Sequence, residues 1–188
     1  VGNLFDNNSG AEFSKCGKYR YKLWRIWDET KPLAMCIGLN PSTANANKND
    51  QTISYLIKML GILGYGGFYM MNLFAFISSK PDDLLTCEDA LGENNEKLKE
   101  VEALCKDVIV CWGGFKQAEQ RIKEVLPNYP NAKCFGATEA GKPFHPLAMM
   151  PRNGRDPNKP ELFLYSERGK NYFKKIMNDE LNYEVRKA

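Results

Sequence analysis

The sequence predicts an α/β fold: a three-layer α/β/α sandwich with a mostly parallel, four-stranded central sheet and an N-terminal β-hairpin. Three observations predict it. Four apolar runs of strand length recur along the 188 residues, starting with Pro32–Asn40. Segments with helical spacing alternate with them, which is the pattern of crossover-connected parallel strands. Ahead of the first run lies a stretch of alternating aromatic and basic residues broken by Cys16-Gly17-Lys18, the mark of a hairpin.

Each element has its own signal. Residues 1–10 are rich in Asn, Gly and Ser and are expected to be a loose segment. Residues 11–188 are expected to form a single α/β domain, a size suited to one core. The hairpin spans residues 11–27. Its Arg20, Lys22 and Arg25 interleave with Tyr19, Tyr21, Trp24 and Trp27. That pattern fits either a nucleic-acid-binding surface or a half-buried strand with solvated basic side chains. The run Pro32–Asn40 lacks polar alternation, as a strand covered on both faces should. Ile53, Leu56, Ile57, Leu60 and Leu63 follow at helical spacing, and Gly64, Gly66 and Gly67 end that helix. Residues 68–76 form the second buried run. A short helix opens at Pro81 and another covers residues 92–105. Residues 107–114 are the third strand, 115–126 a helix stopped by Pro127, and 131–136 a short fourth strand. The tail, residues 169–185, reads as an amphipathic helix with Tyr172, Phe173, Ile176 and Met177 on one face.

Composition narrows the function. The formal charge of +3 permits a polyanionic partner without requiring one. No apolar run is long enough to span a bilayer, so no membrane partner is expected. Six cysteines form no C-x-x-C pair, and no secretory leader opens the sequence as given. Reduced, buried cysteines and a cytoplasmic location are the expectation. With one histidine and no usual ligand spacing, neither a metal nor another cofactor is expected. Nothing in the pattern sets an oligomeric state.

Ligands of open parallel sheets gather beyond the carboxyl ends of the strands. Here those ends carry Asn40-Pro41-Ser42-Thr43, then Asn72 before Leu73-Phe74, then Trp112-Gly113-Gly114, and finally a loop with His145. A buried amide needs partners and costs stability without them. Asn40 and Asn72 are therefore site candidates, although Asn before Pro also starts turns. Asp50 precedes a helix and caps it or holds a water. His145 titrates near neutrality, which suits acid–base work. Ser42 and Thr43 cap a helix or receive phosphate, and no Walker-type loop is present. Trp112 fills the core or packs against a ligand.

Taken together, "GLNPSTA", "NDQT", "GYGGFYMMNLFAF", "CWGG" and "GATEAGKPFHPL" resemble the bacterial and phage family known as domain of unknown function 1643, over about residues 14–165. That resemblance carries no activity. More distantly, the motifs are similar to the uracil-DNA glycosylase superfamily, whose members are α/β/α sandwiches around a parallel four-stranded sheet. Asn40-Pro41 resembles the end of their first strand, where a water is positioned. Asn72 matches their base-reading Asn, "VIVCWGG" their strand that ends before a helix, and His145 in "HPL" the histidine set against the leaving base. Asn40 stands where the most active members carry an acid, and "HPL" lacks the serine of the usual loop. This resemblance implies a nucleobase-recognising hydrolase of N-glycosidic bonds. In it Asn40 positions the water, Asp50 is the base if one is needed, His145 donates to the leaving base, Asn72 reads it, and Phe74 or Trp112 packs on it. The partner is then a nucleobase-containing small molecule or a nucleic acid. Two other readings stand beside it: a non-catalytic nucleotide or nucleic-acid pocket, and a nucleotide phosphohydrolase using Ser42, Thr43 and Lys142.

Overall fold

The computed structural model describes residues 8–185. It contains one seven-stranded sheet. The strands are β1 (Ser9–Phe13), β2 (Arg20–Ile26), β3 (Leu33–Gly38), β4 (Gly67–Asn72), β5 (Asp107–Val110), β6 (Lys133–Cys134) and β7 (Phe163–Leu164). Their order across the sheet is β1-β2-β4-β3-β5-β6-β7. The four central strands β4, β3, β5 and β6 run parallel, and β1, β2 and β7 join antiparallel at the two sides. The predicted hairpin is thus part of the sheet, turning at Gly17 with a positive φ of 72°. Ser9 and Gly10, expected in the loose segment, belong to β1; residues 1–7 lie outside the described residues. The two-residue β7 has too few side chains to show a period, and the sequence did not mark it.

Two apolar layers explain the unbroken runs. Side chains alternate across a strand, so Ala34 and Cys36 face one side of β3 while Met35 and Ile37 face the other. On the first side lies α1 (Gln51–Ile62), which buries Ile53, Leu56, Met59 and Leu60. On the second lie α2 (Asn94–Glu102), α3 (Glu119–Val125) and, after the short α4 (Tyr165–Arg168), α5 (Lys170–Val185). Tyr172, Phe173 and Ile176 are buried in that layer and Met177 packs against it, as the tail's spacing predicts. Burial of each such large side chain is worth about 1.5–3 kcal/mol. Cys36, Cys111 and Cys134 are buried and unbridged, whereas Cys16 is exposed. Among the described residues no helix is long and apolar enough to cross a membrane.

Strand ends differ from the apolar runs. β4 stops at Asn72 and β5 at Val110, four residues earlier than each run suggests. Beyond these points contact with β3 thins to single bonds: the Leu73 and Phe74 N–H groups donate to the Gly38 and Leu39 carbonyls, and the Cys111 N–H to the Ile37 carbonyl. The helix expected over 115–126 starts as a 3-10 turn, Lys116–Ala118, before α3.

Gly66 links α1 to β4 at a crowded crossing. Its carbonyl accepts the N–H groups of Trp27 and Asp28, and a Cβ there would lie 1.8 Å from the Asp28 carbonyl oxygen. Gly66→Ala is expected to cost about 3 kcal/mol or more through forced backbone displacement. Chemical denaturation of the variant against the parent protein checks this.

Candidate functional site

A cleft of about 550 Å³ opens at the carboxyl ends of β3, β4 and β5. Because β2 runs antiparallel to β4, its first residue, Arg20, sits at the same edge; the Arg20 N–H donates to the Ala75 carbonyl just past β4. The cleft draws residues from four strand ends, the start of α1 and the loops around Ser78 and His145. It brings together Asn40, Ser42, Asp50, Asn72, Trp112 and His145.

Asn72 closes β4 beside Gly38, its partner in the parallel register. The side chain is 1 % exposed, and neither Oδ1 nor Nδ2 has a hydrogen-bond partner. Gly38 makes the space: a Cβ there would lie 2.9 Å from Asn72 Oδ1 and 2.5 Å from Met70 Cε. The backbone beneath is tied down. Asn94 Nδ2 donates to the carbonyls of Asn72 (2.8 Å) and Leu73 (3.1 Å), and Arg121 Nε donates to Leu73 O (2.8 Å). The sheet thus fixes where the amide sits and leaves its donor and acceptor unused, at a cost normally avoided.

Asn40 is half tied. Its Nδ2 donates to Ser78 O (2.8 Å) and Pro41 O (3.1 Å), which sets the orientation of the amide and leaves Oδ1 free to accept. The loop that follows is held from β2. Arg20 Nη1 donates to Ala44 O (2.6 Å); Arg25 donates to Asn45 O (2.6 Å) and to Asn49 Oδ1 (2.8 Å). Both arginines are buried, at 3 % exposure each. Arg20 Nε has no partner, its Nη2 makes no hydrogen bond to a described residue, and it forms no ion pair among them. Burial pulls its pKa down to about 10, an effect that Asp50 opposes and Arg25 adds to. Asp50 caps α1, with Oδ1 accepting the Ile53 N–H at 2.9 Å, as the sequence suggests, and its carboxylate still lines the cleft.

Trp112 is buried with its indole N–H unpartnered and its ring edge-on to Tyr165. After it, Gly113 takes φ +78°, a conformation that favours glycine. A Cβ on Gly113 would lie 3.6 Å from His145 Cβ, so the histidine stands directly over this turn. His145 Nδ1 accepts the Leu147 N–H at 3.2 Å. The neutral ring therefore carries its proton on Nε2. Burial lowers the His145 pKa below 6.5, with Asp50 opposing.

Several expectations need correction. Thr43 is exposed and Pro41 is buried beneath the loop, and neither lines the cleft. Phe74 packs into the layer of α2 and α3; Phe115 is the cleft-lining phenylalanine. Lys142 lies away from the cleft with Nζ 3.5 Å from the centre of the Tyr172 ring, held by aromatic attraction. Arg20 and Arg25 are not solvated, and Lys22 is ion-paired to Glu12, so the hairpin presents no row of free cations. Sequence reading missed Arg20 as a site residue; only the antiparallel pairing of β2 brings it to this edge. Among the described residues no group of three or more His, Cys, Asp or Glu side chains is placed to hold a metal ion.

Comparison with curated proteins and with solved structures returns no match. A family model described as "Protein of unknown function (DUF1643)" matches residues 20–147, more than half of the chain, and the chain belongs to that family.

Proposed function

We propose that the cleft binds a nucleobase and hydrolyses its N-glycosidic bond. One observation carries this reading: Asn72 presents a buried donor and acceptor, both unpartnered, in a cleft that also holds the sole histidine. An amide of this kind complements the adjacent donor and acceptor on the edge of a base. Leaving those groups unsatisfied is unfavourable by about 1–3 kcal/mol, and a ligand with the matching edge recovers that cost. Trp112 and Phe115 supply aromatic surface beside it.

The chemistry then follows from what each group can do. The glycosidic bond breaks toward an oxocarbenium-like sugar, and the base departs with negative charge. His145, neutral and carrying its proton on Nε2, donates a hydrogen bond to that charge; preorganised donors of this kind act most strongly where water is excluded. Asn40 cannot take a proton, but its free Oδ1 accepts from a water and orients it. The Asp50 oxygen not used in capping receives the proton as the water attacks the sugar carbon. Binding without hydrolysis is the second reading, favoured by one observation: Asp50 already serves as the α1 cap.

Three outcomes are expected. His145→Ala should lose about 10²–10³ in base release with its fold intact, measured by chromatography of bases freed from a nucleoside, nucleotide and oligonucleotide panel; unchanged turnover removes His145 from the mechanism. Asn72→Leu should leave stability unchanged or raise it by about 1–3 kcal/mol, because it deletes an unsatisfied buried group, while abolishing base binding in calorimetry. A structural Asn would instead show destabilisation. The third concerns pH. The folded state holds His145 neutral below its unfolded pKa, so the unfolded chain binds the proton more readily. The stabilisation is present above pH 6.5 and is lost as pH falls below it. As the chain has one histidine, His145→Gln should flatten denaturation midpoints measured between about pH 7.5 and 5.5.

A further inference from the structure

A buried cation that forms no ion pair is costly, and Arg20 forms none among the described residues, the charge of Asp50 offsetting only part of its burial. Its Nη1 is spent on the Ala44 carbonyl, which is neutral. Its Nε is buried and unpartnered, and its Nη2 bonds to no described residue. Holding the loop uses only one of the guanidinium's three nitrogens, so it does not account for the other two. Arg25, five residues along the same strand, does the same task with its nitrogens used: Nε on Asn49, Nη1 on Trp24 O, Nη2 on Asn45 O. The contrast marks Arg20 as the arginine with donors in reserve, and Arg20, unlike Arg25, lines the cleft.

We propose that Arg20 is the anchor of an oxyanion subsite, which takes a phosphate group attached to the bound nucleoside. A planar fork with free Nε and Nη2 suits the paired oxygens of a phosphate. Ser42, on the loop that Arg20 holds, also lines the cleft, and its hydroxyl bonds to no described residue. Asp50 shares the cleft and its charge also reaches Arg20, so the guanidinium has to offset the repulsion between that carboxylate and the phosphate. The layout fits a nucleotide's length. Strand order sets Arg20 on β2 at one end of the row and His145, over the turn that follows β5, at the other. That row is three strand spacings wide, about 14 Å. Asn72 on β4 lies between them. A base alone does not span such a row; a base with sugar and phosphate does. This inference rests on the base-binding reading and adds the phosphorylated form of the ligand to it.

Calorimetry of the full chain with four probes tests it: inorganic phosphate, a nucleoside panel, the matching 5′-monophosphates, and a short single-stranded oligonucleotide whose phosphates are diesters. The monophosphate is expected to bind about 10- to 100-fold tighter than its nucleoside, the scale of charge-assisted hydrogen bonds. Arg20→Lys should erase that gap, and Arg25→Lys, which disturbs the same loop, should keep it. The Nε–H proton resonance of Arg20 in unmodified protein should shift with the monophosphate and not with the nucleoside, which reads the contact even where Arg20→Lys fails to fold. Equal or tighter binding of the oligonucleotide assigns the subsite to a strand phosphate; weaker binding assigns it to a free nucleotide. Nucleoside binding with no gain from phosphate overturns the subsite and spares the base reading. Arg20-dependent binding of inorganic phosphate, with no nucleoside bound, keeps the subsite and removes the base reading. A gap that persists undiminished in Arg20→Lys also overturns the proposal.

Discussion

Two guanidinium groups on one strand hold the wall of the cleft. Arg20 and Arg25 reach from β2 under the loop after β3 and take the carbonyls of Ala44 and Asn45. The loop contains no regular structure between Gly38 and Asp50, so its backbone groups pair with one another at few points, the Asn45 N–H with the Lys48 carbonyl among them. Without Arg20 the Ala44 carbonyl would be buried and unpaired. With both arginines, the loop is fixed well enough to place Ser42 in the cleft and Asp50 at the start of α1. The antiparallel direction of β2 is what makes this possible, since only then does Arg20 arrive at the carboxyl ends of the parallel strands.

The same edge holds buried polar groups that find no partner in the protein. Asn72 gains nothing from its position in the absence of a ligand: the Asn94 and Arg121 bonds go to backbone carbonyls, and the amide itself stays unsatisfied. Trp112 likewise buries an indole N–H with no acceptor. Unpartnered buried atoms of Arg20, Asn72 and Trp112 gather at the cleft, while those of Asn94, Lys142 and Tyr172 lie elsewhere; burying such groups is a cost. The layers on either side of the sheet are continuous and apolar, so they can carry it.

Much of this was legible in the sequence, and the limits have physical causes. Strands buried on both faces announce themselves by losing polar alternation, which is why β3 and β4 and the amides that end them could be located. His145 and Trp112 were found by the same rule, that residues after parallel strands face the ligand edge. Arg20 was not, because in the pattern Tyr-Arg-Tyr-Lys-Leu-Trp-Arg a basic residue between aromatics reads as a solvated face; its burial depends on a loop 24 residues away in sequence. Phe74 and Phe115 show the converse. Both are phenylalanines just past a strand end, and which one faces the cleft depends on the path of the chain after Asn72, where Asn94 and Arg121 capture the backbone. Period and composition hold no record of such long-range hydrogen bonds.

The span shared with the family has a structural meaning. It begins at Arg20 and ends at Leu147, and every residue that lines the cleft falls inside it. Outside it lie β1, β7, α4 and α5. These elements extend the sheet at its two sides and cover one face: β1 pairs with β2, β7 with β6, and α5 buries Tyr172, Phe173 and Ile176 in the layer it shares with α3. Flanking cover of this kind can be supplied by any apolar surface of suitable shape. An edge that must set a guanidinium, two amides, a carboxylate and an imidazole around one cavity has no such freedom, because each group depends on a specific backbone path. The family limits therefore coincide with the boundary between the part of the chain that builds the cleft and the part that insulates it.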